Sequence, residues 1–157
     1  MRSSLGWARR LYRASIWGPG NVSSADARVS RLLRRTLPEF YVATWAFGSL
    51  GVLGGVPALR DTFGEEYAQI LGFAIASASL VSLVGIAWPA RLWRLEFYAV
   101  SLLSGLVLLY AAAVLFAGVT SNDVGRTAVA AAIYAISTLP RWRVTDIARE
   151  RQVHGWR

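Results

Sequence analysis

Residues 97–122 read FYAVSLLSGLVLLYAAAVLFAGVTSN and hold no Asp, Glu, Lys, Arg or His over 26 positions. A helix needs about 20 mostly apolar residues to cross a bilayer, whereas a helix on the surface of a soluble bundle shows water a polar stripe at helical period. This segment has the length and lacks the stripe. To either side of it, residues 40–59, 67–90 and 127–140 are also uncharged, over 20, 24 and 14 positions. With 55% hydrophobic residues and a mean hydropathy of +0.40, the 157-residue chain is more apolar than an ordinary soluble domain. The sequence predicts an all-α integral membrane protein with four transmembrane helices, over about 40–59, 67–90, 97–119 and 124–140, preceded by a basic amphipathic surface helix. The fourth is short, and Arg126 and Trp142 extend it by reaching the two interfaces. Three spans with an interfacial fourth helix is the competing arrangement.

Arginine sets the orientation, because the chain has 17 Lys plus Arg and every one is Arg. Eight lie in residues 1–39, Arg91 and Arg94 lie between the second and third spans, and five lie from 141 onward. Only Arg60 and Arg126 fall on the other side. A split of fifteen to two places a basic lead (1–39), the 91–96 connection and an Arg-rich tail (141–157) in the cytoplasm, the positive-inside arrangement of a bacterial inner-membrane protein. No apolar run of signal-peptide length occurs in the first 30 residues, so the first span reads as an uncleaved anchor.

Outside the spans, LGWARRLYRASIW is a basic, aromatic run closed by the turn formers GPGN. SSADARVSRLLRR then repeats apolar residues at Ala25, Val29, Leu32 and Leu33, with Arg28, Arg31, Arg34 and Arg35 around them. That pattern predicts an amphipathic helix lying on the anionic inner leaflet. Thr36 as cap, Pro38 in the first turn and Glu39 three residues after the cap predict a fresh helix start. Arg28, Arg31, Arg34, Arg35, Arg91, Arg94, Arg141 and Arg143 form the expected membrane-surface set, facing anionic lipids. No nucleic-acid motif accompanies them, so a nucleic-acid partner is not expected. The tail, with Val144, Ile147 and Ala148, predicts a second short surface helix that offers a patch for a protein partner.

Catalytic parts are missing. There is no Cys, the one His is His154 in the charged tail, Glu65 and Glu66 are simply adjacent, and no metal-ligand spacing or phosphate loop occurs. Neither enzyme activity nor a cofactor is expected, and no ionisable residue is placed deep in a span for coupled transport. The spans offer small residues instead: Gly48, Gly51 and Gly55; Gly72, Ala76 and Ser79; Ser101 and Gly105; Ala128, Ala132 and Ala135. Such faces let helices approach closely, within one subunit or between copies of a homo-oligomer. Ser77, Ser79, Ser82, Ser101 and Ser104 either line a hydrated opening or bond to their own helix carbonyls.

The order of these parts, GPGNVSSADARVSRLLRR running into TLPEF, four closely spaced spans and an Arg-rich tail in a chain without Lys or Cys, resembles the small membrane proteins of phages that infect actinobacteria, some of them holins or holin-like. The resemblance covers the whole length by organisation and composition. It implies a protein that accumulates in the inner membrane, self-associates and permeabilises it. The 39-residue lead is long for a holin and keeps open an adaptor, exclusion factor or accessory subunit that docks a protein through its basic termini.

Overall fold

The computed structural model describes residues 2–18, 31–54, 60 and 64–154. Among these residues the fold is helical and contains no strand. α1 runs Arg2–Ala14; a π-helical turn, Leu32–Thr36, leads into α2, Leu37–Gly54; α3 is Glu65–Ala87, α4 Pro89–Thr120, α5 Val124–Ile136 and α6 Thr138–His154. The helices from α2 onward run up and down, with α3 against α2, α4 against α3, and α5 and α6 returning along α4. Two of them, Glu65–Ala87 with 23 residues and Arg91–Thr120 with 30, are long and apolar enough to cross a membrane.

Three expected boundaries move. The capped start at Thr36 does not form: helix runs without a break from residue 31 to Gly54, and Glu39 accepts from Arg35 Nε at 3.0 Å instead of reaching back to Thr36. Pro38 therefore sits inside a helix, where it has no N–H for the carbonyl four residues earlier. The chain resolves this locally. The wider π turn, with Leu37 N–H donating to Leu32 C=O, lies just before the proline, and the Trp17 indole donates to the Arg34 carbonyl that Pro38 leaves vacant, at 3.2 Å. Replacing Trp17 by Phe should remove that donor and lower stability by about 1 kcal/mol, with the loss read by thermal unfolding in detergent.

The 91–96 connection is not a loop. Only Trp88 separates α3 from α4, and α4 bends at Leu92 (φ −115°, ψ 17°) and continues. The tail is helical as expected but is more than a short surface helix: after one break at Ser137 it runs on as α6, with Ile147 buried against the bundle. The basic run in the lead is helical as α1, and its end is anchored. Ile16 N–H donates to Ala87 C=O at 3.0 Å, and the Trp88 indole donates to Leu11 C=O at 3.4 Å. The first two-thirds of the expected amphipathic helix, with Arg28, lie outside the described residues, as does Gly55. Leu33 from its last turn is buried.

Glycine brings the backbones together. A Cβ on Gly48 would stand 2.5 Å from Ala76 N and 2.7 Å from Gly72 O, and one on Gly72 would stand 2.8 Å from Gly51 C. α2 and α3 thus meet along Gly48, Gly51, Gly72 and Ala76, backbone against backbone, where Ser79 Oγ donates to Thr44 Oγ1 at 2.9 Å. A core of Leu37, Tyr41, Leu71, Ile75, Ile86, Val100 and Leu103 fills the space between α2, α3 and α4.

Candidate functional site

The one place where chemistry-bearing side chains converge inside the described structure is the basic end of the bundle. Glu96 on α4 and Arg143 on α6 are both enclosed, at 0% and 1% exposure, and Arg143 Nε donates to Glu96 Oε1 at 2.7 Å. Arg143 Nη1 also donates to Asp146 Oδ2 at 2.6 Å and to Glu150 Oε1 at 3.4 Å. Residues 143, 146 and 150 share a helical face by their spacing, so α6 itself delivers one guanidinium and two carboxylates to the same spot. Glu96 arrives because α3 has no side chain at Gly85. A Cβ there would lie 2.6 Å from Glu96 Cβ and 2.8 Å from its Cα, so only glycine admits α4 this closely.

Burial opposes the Arg143 charge, and the facing carboxylates of Glu96, Glu150 and Asp146 more than offset it, holding its pKa above the ordinary arginine value. Tyr41 on α2, fully buried, lies close enough to feel the Glu96 and Arg143 charges. Its hydroxyl and Glu96 Oε2 are buried without a hydrogen-bond partner among the described residues. The node therefore joins α2, α3, α4 and α6. Three carboxylates face one guanidinium, which makes it a structural clamp with acidic excess and supplies no nucleophile–base pair. Among the described residues no group of three or more His, Cys, Asp and Glu is arranged to hold a metal ion.

Of the expected membrane-surface arginines, Arg31, Arg35, Arg91 and Arg94 are exposed and Arg34 is half-buried. Arg141 lies over the Tyr134 ring at 4.9 Å and donates to Ser137 Oγ at 3.2 Å. Arg143 departs from the expectation: it turns inward because Glu96 offers a better partner than any interface. Of the small residues, Gly48, Gly51, Gly72, Ala76 and Ser79 lie between α2 and α3 of the same chain. Gly105 is exposed with nothing within 4 Å of a built Cβ, and Ser101 is half-buried. On α5 Ala130 is buried and Ile133 packs against the core, while Ala128, Ala132 and Ala135 face outward. Among the serines, Ser82 donates to Ala78 C=O at 2.7 Å, and Ser104 is buried.

Sequence reasoning missed the clamp. Its signal was a helical one, Arg143-x-x-Asp146-x-x-x-Glu150, together with one acidic residue, Glu96, among the arginines before an uncharged run. A groove of about 550 Å³ also opens on the bundle's flank between α3 and α4, walled by Tyr67, Ile70, Leu106, Leu109 and Phe116. A scan against protein-family models finds no match, and neither a search of curated proteins nor one of solved structures finds a similar chain.

Proposed function

We propose that the chain is a non-enzymatic, multi-pass protein of the bacterial inner membrane. In this reading four helical segments, α2 to α5, cross with both termini cytoplasmic, and the bundle holds a clamped, basic cytoplasmic end for a protein partner. The observation that carries the membrane part is outward apolarity. α3 and α4 are apolar towards the core and also towards the surroundings, where Ile70, Phe73, Leu109 and Phe116 are each more than half exposed. A helix apolar all round needs an apolar surrounding. Depth agrees: Glu96 lies 24 residues before Thr120, about 36 Å of helix, so a hydrocarbon core of about 30 Å that starts near Thr120 ends before the clamp. The clamp then sits at the inner headgroups, with the Arg-rich segments.

The adaptor reading is favoured over a pore because most of the features a pore would use are turned inward, the glycines of α2 and α3 against each other and Ser79, Ser82 and Ser104 into the subunit, with only Gly105 fully outward and Ser77 and Ser101 half-buried. The outward stripe of Ala128, Ala132 and Ala135 supports the second reading, holin-like self-association and permeabilisation. Expression in an actinobacterial host separates the two. The adaptor reading expects accumulation in the membrane without loss of membrane potential, and reporters before Met1 and after Arg157 that both read cytoplasmic. Depolarisation that Ala132→Leu abolishes at equal abundance would replace it with the holin-like reading.

A further inference from the structure

A second groove, of about 610 Å³, lies at the basic end between α4 and α6, walled by Trp93, Arg94, Phe97, Tyr98, Ile147 and Ala148. We infer that it is a binding site for the headgroup and upper chain of an anionic phospholipid, with the Arg94 guanidinium on the phosphate. The inference rests on the membrane reading above and adds a specific lipid site to it.

Three observations converge. The first is charge: Arg94 is exposed, no groove-lining residue is acidic, and the nearby carboxylates Glu96, Asp146 and Glu150 all point inward at Arg143. By absorbing those three, the clamp leaves the outer wall of α4, with Arg91 one turn before Arg94, positive. The second is preorganisation, since the Arg94 guanidinium rests over the Trp93 ring at 5.3 Å, which fixes the cation beside the opening. The third is depth and continuity. The groove is level with the clamp, where the inner headgroups fall, and its aromatic wall continues one turn onward into exposed Leu102, a path for an acyl chain along α4.

The test uses the full chain purified in mild detergent, titrated with phosphatidylglycerol or phosphatidylcholine and read by native mass spectrometry. The parent should bind phosphatidylglycerol at least tenfold more tightly. Arg94→Gln should erase that preference, Arg94→Lys should keep part of it, and Ala148→Trp, which fills the groove from exposed α6, should weaken both lipids. Arg126→Gln, at the opposite end, should change neither. Equal binding of the two lipids by the parent, an undiminished preference in Arg94→Gln, or undiminished affinity for both lipids in Ala148→Trp overturns the site. Alkaline extraction of cell membranes distinguishes the two failures. A chain that stays in the pellet without a lipid preference overturns the site alone, whereas a chain released to the supernatant overturns the membrane reading with it.

Discussion

Arg143→Ala should destabilise the protein by about 3–5 kcal/mol, because it leaves Glu96 enclosed and without its partner. The loss should appear as a lower midpoint of thermal unfolding in detergent and severalfold lower accumulation in cells. Glu96→Gln alone should cost less, since the guanidinium keeps Asp146 and Glu150, at 21% and 27% side-chain exposure, as partners. The double change Glu96→Leu with Arg143→Met should recover most of the loss, as an apolar pair of similar volume replaces two desolvated charges. If Arg143→Ala matched the parent in both measurements, the clamp would have no role in holding α6 to α4. An additive double mutant would show that the two side chains do not interact.

The second large effect is expected at the α2–α3 contact. Gly48→Leu places a side chain where even a Cβ would stand 2.5 Å from the Ala76 backbone nitrogen, so the helices must part. The absence of cysteine makes this measurable without background. Thr44→Cys with Ser79→Cys, at positions whose hydroxyl oxygens lie 2.9 Å apart, should oxidise to a disulfide in the parent. It should fail to do so once Gly48→Leu is added. Gly105→Leu should leave the crosslink intact, since that site opens onto nothing within 4 Å. A crosslink that survives Gly48→Leu would mean that α2 and α3 do not meet along those glycines. Gly51 belongs to the same contact through Gly72, so enlarging it tests the integrity of the subunit before any association between copies.

Helix content and the approximate limits of α3 and α4 were legible because long uncharged runs admit few other structures. The close α2–α3 approach was half legible. Small residues at four-residue spacing announce a contact surface, but whether the partner is the next helix or another copy depends on rotation about the axis, which composition does not specify. On α5 that rotation decided the matter, bringing Ala130 in and turning Ala128, Ala132 and Ala135 out. The clamp was illegible for a different reason. Counting charges to orient the chain treats every arginine as a cation at an interface and so groups Arg143 with Arg141, although Glu96 on α4 draws it inward. The helix start misled in a similar way. Thr36, Pro38 and Glu39 satisfy the local pattern of a capped end, but Trp17, distant in sequence, supplies the donor the proline lacks and lets the helix pass through.

The tether between α1 and the far side of Trp88 has a temporal meaning. Leu11 and Trp88 are separated by 77 residues, so at a synthesis rate of about 5–20 residues per second the carbonyl waits on the order of 4–15 s for its indole. Throughout that interval neither Ala87 nor Trp88 has been made to receive the end of α1, whose Trp7 and Tyr12 stay exposed even in the folded chain. The end of α1 therefore waits for the α2–α3 hairpin, and its docking reports that this hairpin has been completed.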